Sequence, residues 1–251
     1  RYRAAFSEAV GKDLRIIMKA SLVFKELDSM KDREKAEGVA RFFKCGQGEY
    51  GAGDLFLGIA VPQQKKLAKK YQSLPLSEVL QLILSKYHEA RLTGLLILVY
   101  AFAKADVRKQ EKIYRFYLAH SDRINNWDLV DATTPHIVGM YLWKNPQERK
   151  TLYRLMRSKN MWERRMAILA TFTFLRQGDF KDTLRISEGL LSDKEDLIHK
   201  SVGWILREVG KRDRSVLENF LARYLSRMPR TTLRYAIEHF SENKRKKYLK
   251  K

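Results

Sequence analysis

Cysteine, proline and long uncharged runs are scarce in this sequence of 251 residues. Its one cysteine, Cys45, excludes an internal disulfide and a cysteine-based zinc cluster. The longest uncharged apolar run, residues 92–103, is well short of the ~20 residues that a membrane span needs, so no transmembrane helix is expected. Residues 1–10 lack both an initiator methionine and an apolar signal core. We therefore expect a cytoplasmic protein whose chain begins after trimmed residues.

Acidic residues are also scarce relative to basic ones, 29 against 50, which gives a formal net charge of +21. A charge of this size attracts phosphate polymers, because each neutralised phosphate releases condensed counterions. The basic residues interleave with apolar ones along most of the chain instead of forming a detachable arm. Lysine and arginine also solubilise ordinary helix faces, but acids then usually balance them. The composition therefore favours nucleic acid as the partner, bound by a folded basic surface.

Helical periodicity runs through nearly the whole chain. Only 5 prolines and 13 glycines interrupt it, and apolar residues recur mostly at steps of three and four. This pattern predicts an all-α protein. The predicted helices lie near residues 3–27, 32–44, 62–72, 76–85, 88–104, 107–120, 125–138, 146–157, 160–177, 180–191, 194–210, 213–226 and 229–240.

Segments that begin at residues 88, 125, 160 and 194 are spaced by 37, 35 and 34 residues, close to the length of a helix-pair unit. We therefore predict one α-solenoid domain of HEAT-like or armadillo-like repeats over residues 1–251, with a concave basic face for a long ligand. Its parts are N-terminal helices in 1–45, a glycine-rich loop in 46–58, repeats in 59–240 and a basic C-terminal tail in 241–251. A compact helical bundle is the alternative.

The run from Gly46 to Gly53 matches the GxGxxG sequence motif of a phosphate-binding loop but lacks the secondary structure that flanks this motif. A dinucleotide fingerprint needs a preceding strand and an immediately following helix, whereas this run follows a helical pattern and leads into residues 54–58. We interpret it as an inter-helix loop that can lie against a ligand backbone.

The sequence has no recognisable metal or hydrolase motif. The five histidines are scattered, with no pair four residues apart, and no serine lies in a GxSxG motif. No metal, cofactor or ordinary hydrolase site is expected.

Three segments near the start of successive repeat units each combine a tryptophan with charged residues on one helix face. The three sets are Trp127 with Asp131, Trp162 with Arg165, and Lys200 with Trp204 and Arg207. Asp128 is expected to point away from the first face, and Asn160 can cap the second helix. Gly203 leaves room for a close approach in the third.

These sets suit a site that holds a cationic intermediate beside a phosphate backbone. Indoles offer π faces to positive charge, a carboxylate stabilises that charge, and arginine or lysine holds phosphate. Each residue can also have a purely structural role. A tryptophan usually packs in the core, Asp131 can pair with a neighbouring arginine, and Arg165 can form a salt bridge between repeats. The repeated arrangement favours the functional interpretation.

The same segments resemble those of the bacterial DNA alkylation repair family, the AlkD-type DNA glycosylases. The likeness runs from about residue 20 to 240, and its motifs lie in residues 34–37, 54–59, 61–62, 126–131, 162–168 and 200–208. It implies HEAT-like repeats wrapped around DNA and hydrolysis of the N-glycosidic bond of N3- and N7-alkylated purines without a metal. It also implies action from the backbone side, with the base left stacked. The expected partner is double-stranded DNA with alkylated purines, and a monomer is expected.

The resemblance also assigns roles to residues. Trp127 and Trp204 would contact the deoxyribose, and Asp131 would stabilise oxocarbenium character and position water. Arg165 would bind the DNA backbone near the lesion, while Trp162 is assigned mainly to packing. Lysine and arginine residues near these positions would hold further phosphates, namely Lys200, Arg207 and Arg164. The loop from Gly46 to Gly53 is longer than the equivalent link in the family.

Two other functions fit the sequence. One is a non-catalytic HEAT-like protein that binds bent or branched DNA, since related members are thought to have lost catalysis through changes at the acidic and aromatic positions. The other is a helical-repeat scaffold for an acidic protein. The glycosylase is favoured because all four residues of the site are present, namely Trp127, Asp131, Arg165 and Trp204. A steep fall of DNA affinity with salt would favour either DNA function over the scaffold.

Overall fold

The computed structural model describes residues 18–250, and the regular elements in this range are helical, which confirms the all-α prediction. The only β-bridge in that range, between Leu55 and Tyr87, is isolated. The α-helices are α1 Ala20–Ser29, α2 Arg33–Phe42, α3 Val61–Lys70, α4 Leu76–Ile83, α5 His88–Lys104, α6 Val107–Ala119, α7 Trp127–Thr134, α8 Met140–Lys144, α9 Lys150–Met156, α10 Met161–Ala170, α11 Phe172–Leu175, α12 Lys181–Gly189, α13 Asp196–Arg212, α14 Arg214–Tyr224, α15 Arg230–Ala236 and α16 Glu242–Leu249.

The helices stack in two rows. The first row consists of α5, α7, α10, α13 and α15, and consecutive helices of this row pack against each other. The second row consists of α4, α6, α9, α12 and α14, which pack against helices of the first row. First-row helices begin at residues 88, 127, 161, 196 and 230, so successive starts are 34 to 39 residues apart. The prediction of a solenoid of helical repeats is confirmed. One apolar core runs through the stack, and no helix among residues 18–250 is long and apolar enough to cross a membrane.

Several predicted boundaries differ from the structure. Of the helix predicted at 3–27, residues 3–17 lie outside the described range, and α1 covers only Ala20–Ser29. The helix predicted at 125–138 continues past its predicted end, through a π turn at Pro135–Gly139, into α8. Proline has no N–H for the α-helical ladder, and a wider turn accommodates it. The segment expected to be a basic tail contains α16, where Lys244 pairs with Glu218 at 2.6 Å.

The helix predicted at 160–177 is interrupted at Thr171, between α10 and α11. The Thr171 hydroxyl donates a hydrogen bond to the carbonyl oxygen of Ile168 at 2.7 Å, a local bond that competes with the helical ladder. A Cβ added to Gly139 would lie 2.4 Å from the carbonyl oxygen of Ala170. The π turn therefore approaches the backbone of α10 directly at the break.

The close approach expected at Gly203 is made by α15. A Cβ at this position would lie 2.5 Å from the Cβ of Tyr235 and 2.6 Å from the carbonyl oxygen of Thr232. We expect Gly203→Ala to lower the free energy of unfolding by about 1–3 kcal/mol through overpacking. The control is Gly38→Ala in α2, where a Cβ meets nothing within 4 Å and alanine is expected to stabilise the helix by up to ~1 kcal/mol. Equal urea unfolding midpoints for the two variants would contradict this packing.

Candidate functional site

At the centre of the site, Asp131 on α7 and Arg165 on α10 form a two-point ion pair. Arg165 donates from Nε to Oδ1 and from Nη2 to Oδ2 of Asp131, each at 2.7 Å. Its Nη1 donates to the carbonyl oxygen of Leu197 on α13 at 2.6 Å. The side chains of Asp131 and Arg165 are 18% and 7% exposed. Arg165 therefore joins three successive first-row helices from a shielded position.

Burial raises the pKa of the Asp131 carboxyl above its ordinary value. The Arg165 guanidinium opposes this change in pKa, and the neighbouring Asp128 carboxylate adds to it. Each Asp131 oxygen accepts one hydrogen bond from Arg165 and keeps a further lone pair. A shielded carboxylate with a fixed orientation and unused lone pairs is suited to stabilising a positive charge that develops beside it.

Trp127 is the first residue of α7, one helical turn before Asp131. The Asn126 side chain accepts a hydrogen bond from the Trp127 backbone N–H at 2.8 Å, which fixes the start of the helix. The half-buried indole stacks on Phe43, with ring centroids 5.2 Å apart and an interplanar angle of 22°. Phe42 meets the same indole edge-on at 5.9 Å and is itself 65% exposed. The sequence analysis missed both phenylalanines, although adjacent aromatics at the end of a predicted helix were a usable signal.

The other two predicted tryptophans have different surroundings. Trp204 is half-buried on α13 and packs against Phe172 at 5.9 Å. Trp162 is 7% exposed, and the Asn160 side chain caps its helix as predicted, by accepting from the Trp162 N–H at 2.9 Å. The Trp162 ring meets Tyr50 edge-on at 6.1 Å. Within the described chain, the indoles thus contact other aromatic side chains and not each other.

The guanidinium of Arg164, a predicted DNA contact, forms its hydrogen bonds with other groups of the protein. Its Nε and Nη2 donate to the two carboxylate oxygens of Asp193 at 2.6 and 3.1 Å. Its Nη1 donates to the carbonyl oxygens of Ser158 and Lys159, both at 3.0 Å. All three nitrogens therefore serve to join the start of α10 to the segment before α13. In the structure, the Arg164 side chain therefore links two successive repeats.

The remaining two predicted phosphate ligands differ in accessibility. Arg207 pairs with Glu238, and its side chain is 19% exposed. Lys200 pairs with Asp196 at 2.8 Å, but their side chains are 42% and 58% exposed. A surface pair of this kind contributes little to stability and exchanges its partner readily. Among the predicted DNA-binding residues, Lys200 is the most accessible cation.

A buried polar network lies behind the start of α7. The Asp54 carboxylate accepts from Arg91 Nη2 at 2.6 Å and from Asn126 Nδ2 at 3.3 Å. His88 bridges two carboxylates, with Nδ1 3.2 Å from Asp54 and Nε2 2.7 Å from Asp128. Asp128 thus points away from the face of Asp131, as predicted. The network connects the C-terminal part of the glycine-rich loop, α5 and α7.

His88 carries a positive charge in this network. Burial by itself would lower the pKa of His88, but hydrogen bonds to Asp128 and Asp54 raise it to about 9. The imidazole also stacks on Phe56 at 4.8 Å and lies 5.0 Å from the Phe43 ring. The sequence analysis missed the network, although charged residues at the start of an otherwise apolar helix need buried partners.

The glycine-rich run is not followed directly by a helix, in agreement with its interpretation as a loop. α2 ends at Phe42 and α3 begins at Val61. Between them lie turns, followed by a stretch without regular secondary structure. Gly48 and Gly53 have φ angles of 79° and 87°, a left-handed conformation that favours glycine. No group of three His, Cys, Asp or Glu side chains within residues 18–250 is placed to hold a metal ion.

Comparison with known proteins agrees with the helical-repeat fold. A structure described as a predicted DNA alkylation repair enzyme from Enterococcus faecalis superposes with a TM-score of 0.66 at 17% identity, over 85% of this chain and 98% of that one. AlkD2 from Streptococcus mutans superposes with a TM-score of 0.55 at 16% identity, over 89% of this chain and 97% of that one. These likenesses show the fold, and no curated protein sequence matches the chain. The family described as DNA alkylation repair enzyme matches residues 23–240, so this chain belongs to that family.

Proposed function

We propose that the protein is a DNA glycosylase that hydrolyses the N-glycosidic bond of cationic N3- or N7-alkylated purines in duplex DNA. The observation that supports this most is the Asp131 carboxylate, held at two points by Arg165 in a shielded position one turn from Trp127. The family match and the net charge of +21 support DNA as the substrate. The proposed reaction uses neither metal nor cofactor.

The alkylated purine is already a cationic leaving group, so no general acid has to protonate it. The bond between C1′ and the purine nitrogen breaks, its electron pair leaves with the base, and the base becomes neutral. Positive charge then develops on the deoxyribose. Asp131 stabilises this charge, and the Trp127 indole adds a π face beside it. A water held by a free lone pair of Asp131 adds to C1′ and releases its proton to solvent.

Arg165 is a positioning residue in this proposal. Its three nitrogens are occupied by Asp131 and Leu197, so it fixes the carboxylate instead of contacting phosphate. Glycosylases generally extrude the target base into a pocket. Here we propose action from the backbone side with the base left stacked, because the family resemblance implies it. Trp204 and Trp127 are the proposed deoxyribose contacts.

The test compares base release by the wild type and Asp131→Asn on duplex DNA with a single N7-methylguanine. We expect release to fall by a factor of about 10²–10³, as for loss of one preorganised electrostatic group. Duplex binding, measured at two salt concentrations, should be retained. The matched control is Asp193→Asn, which breaks the other two-point arginine pair of α10 and should keep base release. Equal release by the wild type and Asp131→Asn would refute the assigned role.

One observation favours a second function. The Asp131–Arg165 pair joins successive repeats, so it also suits a purely structural role in a non-catalytic protein that binds bent or branched DNA. This function predicts no base release from the wild type, tight salt-sensitive binding and a preference for junctions over linear duplexes. The same assay separates the two functions.

A further inference from the structure

A groove with apolar lining lies in the second helix row, between α12 and α14. Leu184 lines it from α12, and three residues line it from α14, namely Val216, Phe220 and Tyr224. The rings of Phe220 and Tyr224 are buried and pack with their centroids 4.7 Å apart, whereas Leu184 and Val216 are half-buried. The two half-buried side chains therefore leave apolar surface open to solvent along the groove.

Basic side chains surround this groove. Lys181 and Arg185 line it from α12, and Arg223 lines it from α14. Arg185 also lines an adjoining depression together with Arg157, at the end of α9. All four are exposed, and none of them forms an ion pair within residues 18–250. Glu188 is the one acidic residue among the described residues that line the groove, so the charge at its edges is positive.

Two of these arginines rest on aromatic rings. The guanidinium carbon of Arg223 lies 5.3 Å from the centre of the Tyr224 ring, and that of Arg185 lies 5.6 Å from the centre of the Tyr153 ring. A guanidinium stacked on a ring still presents N–H groups at its edge, in the fork that matches a carboxylate. The groove therefore places apolar surface next to guanidinium groups that are suited to binding carboxylates.

We propose that the groove between α12 and α14 docks an acidic amphipathic helix of a partner protein. Apolar residues on one face of that helix fill the space beside Leu184 and Val216, and its carboxylates pair with the basic side chains around the groove. A helix is favoured over an extended peptide because the described residues contain no β-strand whose edge could pair with one. Asp131 and Arg165 lie on first-row helices, so this docking is separate from the proposed glycosylase site.

Charge and shape distinguish this partner from other occupants. A second copy of the chain carries a net charge of +21, and residues 1–17, which lie outside the described range, contain four basic and two acidic residues. Neither complements a basic groove. Duplex DNA does complement the charge, but its surface presents phosphates and sugars, which do not fill an apolar groove. An acidic helix with one apolar face matches both properties.

The experiment measures binding of the full chain to fluorescein-labelled peptides by fluorescence anisotropy. The first peptide is about four helical turns long, with leucines at steps of three and four residues on one face and glutamates at the other positions. The second has the same composition, but its leucines are distributed around the helix. The third has lysines in place of the glutamates. We expect the first peptide to bind, the second to bind about 10-fold more weakly because it loses its apolar anchors, and the third not to bind.

Three variants of the protein test the groove itself. Arg185→Glu should weaken binding of the first peptide by about 10-fold, because it replaces an attractive charge with a repulsive one. Leu184→Asn should weaken it by about 10-fold through loss of apolar contact. The matched control is Arg154→Glu, which makes the same charge change at an exposed residue of α9 outside the groove and should bind within about 2-fold of the wild type. Thermal melting of every variant checks that it is folded.

Several results would overturn the docking site. One is no binding of the first peptide at about 0.1 mM, the weak end of specific affinities, and another is equal binding of the first and second peptides. Displacement of the peptide by duplex DNA, with a duplex affinity that falls in Arg185→Glu but not in Leu184→Asn, would assign the groove to DNA instead. A wild-type dimer that Leu184→Asn dissociates, measured by sedimentation, would assign it to a second copy. Absence of base release together with normal peptide binding contradicts the proposed function alone.

Discussion

Replacing Arg165 with methionine is expected to lower the free energy of unfolding by about 3–5 kcal/mol, because the Asp131 carboxylate then stays shielded without its counter-charge. Methionine preserves much of the aliphatic volume, so the loss reflects the guanidinium. The substitution also removes the donor to the Leu197 carbonyl, which links α10 to α13. Urea unfolding of both proteins gives the difference directly.

A double-mutant cycle identifies the origin of this loss. Asp131→Asn combined with Arg165→Met should be less destabilised than the sum of the single variants, because neither charge is left alone. Arg164→Met is the matched control: it removes a neighbouring two-point pair, with Asp193, but leaves the Asp131 site intact. Wild-type stability of Arg165→Met together with weaker DNA binding would contradict the positioning role and restore the sequence-based assignment of Arg165 to the DNA backbone.

The arrangement of repeats was predictable because helical periodicity is local. The segments predicted to start at 125, 160 and 194 correspond to helices that begin at Trp127, Met161 and Asp196. The same local geometry places Trp127 and Asp131 one turn apart on α7. Helix caps follow from the same reasoning, as at Asn160. These features depend on residues within one or two turns of each other.

The sequence analysis allowed Asp131 to pair with an arginine and Arg165 to bridge two repeats, but it did not predict that they pair with each other, because the partners are distant in sequence. Asp131 and Arg165 are 34 residues apart, and His88 and Asp128 are 40 apart. The sequence shows that each charge needs a partner, but several carboxylates and guanidinium groups compete at every repeat. Only the stacking of the helices decides which pair forms. Stacking thus pairs Arg164 with Asp193 in the segment before α13, whereas it pairs Arg165 with Asp131 of the preceding repeat.

The helix interruptions are an intermediate case. Pro135 lies inside a segment predicted as one helix, and its missing N–H was a visible signal for an irregular turn. The form of that turn depends on Gly139, which lets the backbone approach Ala170 of the next repeat. The break at Thr171 depends on the same contact region. Sequence therefore indicates where irregularity is allowed, and tertiary packing determines what form it takes.

The second large effect concerns pH and the buried network behind Trp127. We expect the stability of the wild type to fall by roughly 3 kcal/mol as pH rises from about 6.5 to 9. In the folded protein the pKa of His88 is about 9, whereas an unfolded histidine titrates near its model value of 6.5. A shift of two to three pKa units corresponds to about 3 kcal/mol at ~1.4 kcal/mol per unit.

The sign follows from proton binding. Between the two pKa values the folded protein holds a proton on His88 that the unfolded chain does not, so raising the pH favours unfolding. Below about pH 6.5 both states hold the proton, and the full stabilisation is present. Loss of the proton leaves Asp54 and Asp128 with Arg91 as the one remaining cation of the network. Two shielded carboxylates then lack the positive charge between them.

His88→Gln is the variant that tests this effect. We expect it to be less stable than the wild type at pH 6, with a difference in the free energy of unfolding that shrinks toward pH 9, since glutamine does not titrate. Parallel pH curves for the two proteins would contradict the assignment of the proton to His88. Because Asp128 and Asn126 connect the network to the start of α7, base release should also decline over this pH range in the wild type. A decline that persists unchanged in His88→Gln would place its origin elsewhere in the site.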